Sequence, residues 1–184
     1  MVDFLGHGFS SAATQGVQMA ISEDEFKRCM GLWTSGVTVV TSRDGDLIHG
    51  MTVSDFTGAS LSPPLVVVLC NRDSITTGMI AQGKCFGVNI LAADQQEISN
   101  RFASKELEHV RFDGVEYDSE LTGAPLIKGA AANLDCRLVA THEAGDHLIY
   151  VGLIESVRLE GGDPLVHWGG TYHSLEGSGE GESA

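Results

Sequence analysis

The stretch of sequence that indicates the fold most clearly is residues 134–159, LDCRLVATHEAGDHLIYVGLIESVRL. Its two ends, residues 134–141 and 147–159, predict long β-strands because β-branched and other apolar residues recur along them. The polar segment between them contains Gly145 and predicts the turn that joins them. The stretch therefore predicts a long β-hairpin, in which the two strands run antiparallel.

Strand-like segments on both sides of this hairpin extend the pattern. Five more strands are predicted, at residues 37–42, 47–53, 65–70, 85–91 and 165–168. An Asp44-Gly45 turn signal joins the first two of them into a second hairpin. Strands and helices do not alternate regularly, so a Rossmann domain is disfavoured. The sequence predicts a mainly β fold with peripheral helices, arranged as a closed or partly closed Greek-key barrel.

Three helices are predicted around this sheet. The first begins at Ser22, which forms a capping box with Glu25. The second spans residues 74–81, and the third opens at Asp94. We expect the apolar residues at helical spacing in the first helix to face the core. These residues are Phe26, Met30 and Trp33.

Length and charge limit the organisation of the chain and its partners. The chain has 184 residues, and 11 basic against 25 acidic residues give a net charge of −14. A chain this acidic repels phosphate backbones, so no nucleic-acid partner is expected. No segment approaches the roughly 20 apolar residues that a membrane helix needs, so no membrane association is expected. We divide the chain into a flexible N-terminal extension (1–21), one domain (22–175) and a disordered acidic tail (176–184).

The cysteines and histidines do not form a metal-binding or redox motif. No C-x-x-C pair is present, and the histidines from His142 to His173 lack H-x-H or H-x-x-x-H spacing, so no metal site is expected. Apolar residues near each cysteine predict buried thiols in a reducing compartment, and hence a cytoplasmic protein. The cysteines are Cys29, Cys70, Cys85 and Cys136.

Hydroxyl-bearing and small residues concentrate in residues 50–64, GMTVSDFTGASLSPP, where the predicted strand 47–53 ends. Hydroxyls and free backbone N–H groups of this kind can bind a polar planar ring or a phosphate. A connecting loop whose hydroxyls bond to its own backbone would have the same composition. Both interpretations remain open from the residues alone.

Two further segments offer groups that bind an anion. Ser74 predicts the N-cap of the second helix, where free N–H groups and the helix dipole favour a negative charge. An ordinary capped helix is the alternative. Arg101 and Lys105 lie at the end of the third helix, where basic side chains either complement the helix dipole or reach a phosphate.

The run Gly145-Asp146-His147 places a histidine beside an aspartate just after the predicted turn. Such a pair provides an oriented imidazole near a cleft, or else a turn residue followed by a surface strand residue. The chain contains no G-x-S-x-G, P-loop or G-x-G-x-x-G motif. Any enzymatic activity would therefore depend on a borrowed cofactor.

Seven motifs in one order resemble the flavin reductase-like family, the small NAD(P)H:flavin oxidoreductases that serve two-component monooxygenases. The resemblance covers roughly residues 26–175. The motifs are GVTVVT (36–41), MTVSDF (51–56), SLSPPL (60–65), VNIL (88–91), RF (101–102), GDH (145–147) and PL (164–165). Each motif is weak alone, but seven in register are specific.

The resemblance implies a homodimeric split β-barrel of the FMN-binding type, with FMN or FAD in a groove near the dimer interface. It implies that the flavin ring and ribityl chain lie along Thr52, Val53, Ser54, Asp55, Phe56, Ala59 and Ser60. The flavin phosphate is expected near Ser74, Thr76 and Lys105. The nicotinamide side is expected to include His147, His167 and Tyr172.

The function that the resemblance implies is hydride transfer from NADH or NADPH to FMN or FAD, after which the reduced flavin passes to a separate monooxygenase. His147 is the residue expected to act catalytically. Two alternatives stay open: a reductase with tightly bound FMN that reduces another acceptor, such as a corrin or a metal chelate, and a non-catalytic flavin-binding domain. Many relatives carry serine where this chain has Asp55, whose carboxylate would oppose an anionic reduced flavin.

Overall fold

The computed structural model describes residues 20–175. Most of the predicted flexible extension (residues 1–19) and all of the predicted acidic tail (176–184) lie outside the described residues. The α-helices within residues 20–175 are α1 (Glu23–Met30), α2 (Ile75–Gly83) and α3 (Gln96–Ala103), and a 3₁₀ turn spans Glu108–Val110. Among these same residues, no helix is long and apolar enough to cross a membrane.

Twelve strands lie within the described range. In chain order they are β1 (Ser35–Gly36), β2 (Thr38–Asp44), β3 (Leu47–Val53), β4 (Phe56–Leu61), β5 (Pro64–Asn71), β6 (Cys85–Ile90), β7 (Tyr117–Ser119), β8 (Pro125–Ile127), β9 (Ala132–Ala144), β10 (His147–Leu159), β11 (Val166–Trp168) and β12 (Thr171–His173). Seven of them form one antiparallel sheet in the order β3-β2-β6-β9-β10-β5-β4. β1, β11 and β12 form a small second sheet, and β7 pairs with β8. The predicted mainly β fold with peripheral helices is therefore confirmed.

The hydroxyl-rich segment 50–64 contains a strand that the sequence interpretation missed. β4 is an edge strand paired with β5, and a register shift between Gly58 and Ser60 marks an irregularity in it. Only Ser54 and Asp55 separate β4 from β3, which is the strand at the opposite edge of the sheet. β3 also contacts β5, so the sheet curls and brings its two edges towards each other.

The central hairpin is longer than predicted. β9 and β10 pair from Ala144 and His147 at the turn to Ala132 and Leu159 at the far end. Residues 142–144, expected in the turn, therefore belong to the strand. The turn itself has two residues and begins with Gly145 at a φ of 64°, where glycine avoids the strain that a side chain would cause.

Buried side chains fill both faces of the sheet. One cluster contains Val40, Val68, Phe86, Val88 and Tyr150 together with Ile80 of α2. The other contains Val39, Leu91, Ile127 and Leu165 together with Phe102 of α3. The neighbours Val39 and Val40 fall in different clusters because successive strand residues point to opposite faces.

The first helix has its predicted start but not its predicted packing. The Ser22 hydroxyl accepts the Glu25 N–H at 3.2 Å and the Glu25 carboxylate accepts the Ser22 N–H at 2.9 Å, so the capping box is confirmed. The expectation that Phe26, Met30 and Trp33 face the core is wrong, because they are 56%, 46% and 72% exposed. α2 and α3 already pack against β2 and β3, so no element among residues 20–175 covers the apolar side of α1.

The third helix begins one residue later than predicted. Its N-cap is Gln95 rather than Asp94, and no side-chain hydrogen bond caps it. The Gln95 side chain instead accepts the Ala92 N–H at 3.1 Å and donates to the Lys128 carbonyl at 2.9 Å. This residue therefore fixes the loop before the helix to the segment that follows β8.

Three of the four cysteines are buried as predicted. Cys70, Cys85 and Cys136 lie in the interior, whereas Cys29 is exposed, and all four thiols are free. The prediction of a buried thiol is wrong for Cys29 because no other element of the described part of the chain packs over α1, which carries it. Burial raises the pKa of Cys70 and of Cys136 to about 12, so these thiols are protonated and unreactive at neutral pH.

Candidate functional site

A cavity of about 320 Å³ opens where β3 ends. Its lining combines Ser54 and Asp55, which connect β3 to β4, with His167 of β11. Side chains expected in the core form another part of its wall: Phe26, Met30 and Trp33. The structure thus brings three of the predicted ligand-binding residues together beside an apolar wall. A hydroxyl, a carboxylate, an imidazole and aromatic rings in this arrangement can hold a planar polar ring.

A chain of hydrogen bonds fixes the elements around this cavity. The Thr52 hydroxyl donates to the Ser99 carbonyl at 2.6 Å, and the Ser99 hydroxyl lies 2.8 Å from the Tyr172 hydroxyl. Tyr172 in turn donates to Asn100 at 3.0 Å. The rings of Tyr172 and His167 meet edge to face with centroids 5.6 Å apart. β3, α3 and the β11–β12 hairpin are therefore held together by predicted site residues, and the Thr52 hydroxyl is already engaged.

The other residues predicted along the flavin take two kinds of position. Val53 is buried, and its carbonyl accepts a hydrogen bond of 2.6 Å from the Thr38 hydroxyl. Phe56 is half-buried and packs against the core. Ala59 and Ser60 are exposed on the edge strand β4. The side chains of Val53 and Phe56 thus belong to the core, whereas Ala59 and Ser60 are accessible to a ligand that lies along the sheet edge.

His147 lies at the same end of the sheet as Asp55. The Leu69 N–H of β5 donates to the Asp55 carbonyl at 3.0 Å. Asn71, two residues further along β5, pairs with His147 of β10. Asp55 and His147 therefore lie on opposite sides of β5, offset from each other by two residues along it. His147 is not part of the cavity wall. It begins β10, however, and β10 pairs with β5, the strand that is hydrogen-bonded to Asp55.

The imidazole of His147 is oriented by the turn before it. Its Nδ1 lies 2.8 Å from a carboxylate oxygen of Asp146, and this hydrogen bond holds the pKa of the Asp146 carboxyl below its usual range. Arg72 fixes the turn, because its guanidinium donates to the Gly145 carbonyl at 2.8 Å and its backbone N–H donates to the Asp146 carbonyl at 3.0 Å. Among residues 20–175, this is the one side-chain hydrogen bond of His147, and it involves Nδ1 and not Nε2.

A buried hydrogen bond connects the start of α2 to β3. The Ser74 hydroxyl accepts the Thr77 N–H at 3.1 Å, so the predicted N-cap is confirmed. Thr76 is fully buried, and its hydroxyl lies 2.8 Å from Nδ1 of His49 on β3. The Thr76 hydroxyl therefore faces β3. What this helix end offers to an anion is the backbone N–H groups of Ile75 and Thr76, because the N–H of Thr77 is bonded to the Ser74 hydroxyl.

Lys105 is exposed just after α3. The residue before it, Ser104, is connected to β3 through Arg111. The Arg111 guanidinium donates to the Ser104 carbonyl and to the Gly50 carbonyl, each at 2.8 Å. The start of α2 is therefore bound to His49 of β3. The segment that carries Lys105 is bound to the next residue of the same strand, Gly50.

His49 and Arg111 are candidate residues that the sequence interpretation missed. They are only 8% and 6% exposed. Burial lowers the pKa of His49 and so does nearby Arg111, whereas Glu108 acts in the opposite direction. Burial also lowers the pKa of Arg111, but a guanidinium stays charged at neutral pH. No local pattern indicates this pair, because the two side chains come from distant segments and meet only in the folded chain.

Comparison with known proteins shows which family the whole domain resembles. The flavin reductase like domain model matches residues 30–176. An NADH-dependent flavin reductase of Rhodococcus sp is 39% identical over 155 residues, which cover 82% of this chain and 85% of that protein. The reductase component of 4-hydroxyphenylacetate 3-monooxygenase from Thermus thermophilus is 35% identical and covers 83% of this chain and 97% of its own length.

A solved structure agrees with these similarities. The NADH:FAD oxidoreductase SgcE6 of Streptomyces globisporus C-1027, in complex with NAD and FAD fragments, has a TM-score of 0.80 and is 30% identical to this chain. The likeness covers 89% of this chain and 99% of that one. Fold and sequence thus match over the same domain, and the chain belongs to the flavin reductase-like family.

Proposed function

We propose that the chain is an NAD(P)H-dependent flavin reductase, which transfers hydride from NADH or NADPH to FMN or FAD and supplies the reduced flavin to a separate monooxygenase. The observation that carries this proposal is the cavity at the end of β3, which is lined by Ser54, Asp55 and His167. Family membership supports the same activity, as do relatives named as an NADH-dependent flavin reductase and as the reductase component of a monooxygenase.

The residues around the cavity fit a flavin ring. Phe26, Met30 and Trp33 provide an apolar wall for the ring face, and Ser54 provides a hydroxyl at its edge. The volume of about 320 Å³ lies at the lower end of the range for ligand pockets, roughly 300–1,000 Å³. The ring therefore fills the cavity, and the rest of the flavin extends out of it along accessible protein surface.

The phosphate end of the flavin is assigned to the first turn of α2 and to Lys105. The free N–H groups and the positive end of the helix dipole favour an anion at Ser74. Lys105 adds a positive charge in a chain whose net charge is −14. Thr76 contributes its backbone N–H group, because its hydroxyl is hydrogen-bonded to His49.

The chain's own side chains position the reactants. A bound flavin supplies the two-electron acceptor for hydride. His147, with Nδ1 directed to Asp146, presents Nε2 to the carboxamide of the nicotinamide. His167 and Tyr172, whose rings meet edge to face, form a second side of the nicotinamide site. No side chain has to move a proton during hydride transfer, so the protein contributes mainly proximity and orientation.

We further propose that the domain is a split β-barrel that acts as a homodimer in the cytoplasm. The curl of the seven-stranded sheet supports the barrel. The exposed apolar side chains of α1 and the residues after it support a second copy on this face, because such patches mark interaction sites; they are Phe26, Met30, Leu32 and Trp33. The free thiols suit a reducing compartment.

The purified apoprotein tests the proposed activity directly. We expect FMN or FAD to bind reversibly, and NADH or NADPH to be oxidised only when flavin is added. Flavin binding without any oxidation of the nicotinamide would favour a non-catalytic flavin-binding domain. Tight binding of FMN together with little reduction of free flavin would favour a reductase that serves another acceptor.

A further inference from the structure

The start of α2 is anchored to β3 by a side chain that does not reach the surface. His49 is 8% exposed, and its Nδ1 lies 2.8 Å from the hydroxyl of the fully buried Thr76. Thr76 is the second residue of α2. The bond therefore fixes the position of the first turn, whose backbone N–H groups point out of the helix end.

The segment that carries Lys105 is anchored to the next residue of the same strand. Arg111 donates through one guanidinium nitrogen to the Gly50 carbonyl and through another to the Ser104 carbonyl, each at 2.8 Å. The guanidinium is planar and rigid, so it sets the distance between these two carbonyls. A lysine has a single ammonium on a flexible stem and cannot hold both in the same way.

Both anchoring side chains are costly to bury. Nε2 of His49 and Nε of Arg111 have no hydrogen-bond partner among residues 20–175. A buried guanidinium without full pairing destabilises the folded chain, and the nearest carboxylate, that of Glu108, lies 3.8 Å away. An apolar side chain at position 111 would leave the Gly50 and Ser104 carbonyls without this donor. What the imidazole and the guanidinium do in return is to hold two separate segments against β3.

We infer that His49 and Arg111 are positioning residues for the flavin phosphate. They hold the first turn of α2 and the segment of Lys105 at a fixed separation, so that backbone N–H groups and an ammonium converge on one anion. This inference rests on the proposed function, and it deepens it by adding two residues that do not touch the flavin. Its consequence is that the preference of the protein for FMN over riboflavin depends on a buried guanidinium, whereas its affinity for the flavin ring does not.

The decisive variant is Arg111→Lys, which keeps the positive charge and loses the two-carbonyl bridge. The dissociation constants of FMN and of riboflavin are measured on the full chain by quenching of flavin fluorescence. We expect the Kd of FMN to rise about tenfold while that of riboflavin stays within about twofold, because only the phosphate contacts are displaced. Equal weakening of both ligands, or no change in either, would overturn the inference.

Two His49 variants provide an independent test that does not depend on how well Arg111→Lys folds. His49→Leu removes the bond to Thr76, so the preference for FMN should fall as it does for Arg111→Lys. His49→Asn places an amide near the position of Nδ1 and should retain most of the preference. If the leucine and asparagine variants bind FMN equally well, the anchoring role of His49 is contradicted.

A matched arginine elsewhere controls for general effects of the substitution. Arg158 pairs with Asp118 and Glu120, at 2.8 Å and 3.0 Å, away from α2 and Lys105. Arg158→Lys should leave the Kd of both flavins unchanged, and a loss there would contradict the assignment to Arg111.

The inference and the proposed function fail in different ways. Flavin-dependent oxidation of NADH by the unaltered chain tests the function. If that activity is present but FMN binds no better than riboflavin, the positioning of a phosphate is overturned and the reductase activity stands. If no flavin binds at all, both are overturned.

Discussion

Nδ1 of His147 lies 2.8 Å from the carboxylate of Asp146, the residue directly before it. Arg72 fixes the turn that contains Asp146, because its guanidinium donates a hydrogen bond of 2.8 Å to the Gly145 carbonyl. The direction in which the imidazole points is therefore set by a neighbour in the sequence. Substitutions at these two positions separate the presence of the ring from its orientation.

Replacing His147 with alanine should weaken the use of NADH and spare the binding of flavin. We expect the KM for NADH to rise about fivefold, which corresponds to the loss of one hydrogen bond. Asp146→Asn should cause a smaller rise, because the ring remains but is less well oriented. Steady-state kinetics with NADH, together with a flavin titration, measures both effects.

The control for this pair is His142→Ala, a histidine exposed on β9 of the same hairpin. It should change neither constant. NADH kinetics that are unaltered in both His147→Ala and Asp146→Asn would remove His147 from the nicotinamide side of the site.

The carboxylate of Asp55 should make reduced flavin bind more weakly than oxidised flavin. Its carboxylate lines the cavity with Ser54 and His167, and a negative charge there repels an anionic reduced ring more than a neutral oxidised one. Asp55→Ser should therefore tighten the binding of reduced FMN about fivefold and change that of oxidised FMN much less. Anaerobic titrations of both forms measure the ratio, and the midpoint potential of bound flavin should rise with it.

Asp94→Ser removes an exposed carboxylate away from the cavity and serves as the control. The ratio of the two dissociation constants should stay the same in that variant. An unchanged ratio in Asp55→Ser would mean that this side chain does not act on the flavin.

Leu32 tests the proposed homodimer. It is 74% exposed in the single chain and lies beside α1, on the face that the second copy is proposed to cover. Leu32→Glu should convert a dimer into a monomer in sedimentation experiments, because burying an unpaired carboxylate in an interface is unfavourable. Leu121→Glu, at a side chain 76% exposed elsewhere, should leave the dimer intact, and a monomeric unaltered chain would contradict the proposal.

Gly152 should tolerate no side chain. A Cβ at this position would lie 2.3 Å from the Phe86 ring, and both residues are in the interior. We expect Gly152→Ala to lower the free energy of unfolding by about 1–3 kcal/mol or more, as overpacking of a core does. Gly78→Ala, where no atom lies within 4 Å of the added Cβ, should be neutral or slightly stabilising because alanine favours a helix. Denaturation by urea measures both, and equal stability of the two variants would contradict the close packing.

Local signals in the sequence were sufficient for much of the fold. The bonds of Ser22 with Glu25 and of Ser74 with Thr77 involve residues three apart, so the caps can be read from short patterns. The turn at Gly145 is indicated in the same way. The turn sets the pairing of β9 with β10 next to it, but two register shifts further along the ladder, at Val151/Gly152 and Ile154/Ser156, have no such local signal.

Other features depend on contacts that no short pattern contains. The spacing of Phe26 and Met30 correctly indicates one apolar side of α1, although the helix ends at Met30, before Trp33. The spacing does not say whether a sheet or another molecule covers that side. The hydrogen bonds of Arg111 connect it to Gly50, far away in the sequence. The position of Asp55 in a cavity wall likewise depends on α1 and β11, which come from opposite ends of the domain.

Diffraction from crystals soaked with FMN tests the central claim most directly. The account predicts density for the flavin ring in the cavity between Ser54, Asp55 and His167, with the phosphate at the start of α2 near Lys105 and one ring face open towards His147. Flavin density at another place on the protein, or a cavity closed by its own side chains at saturating FMN, would contradict it.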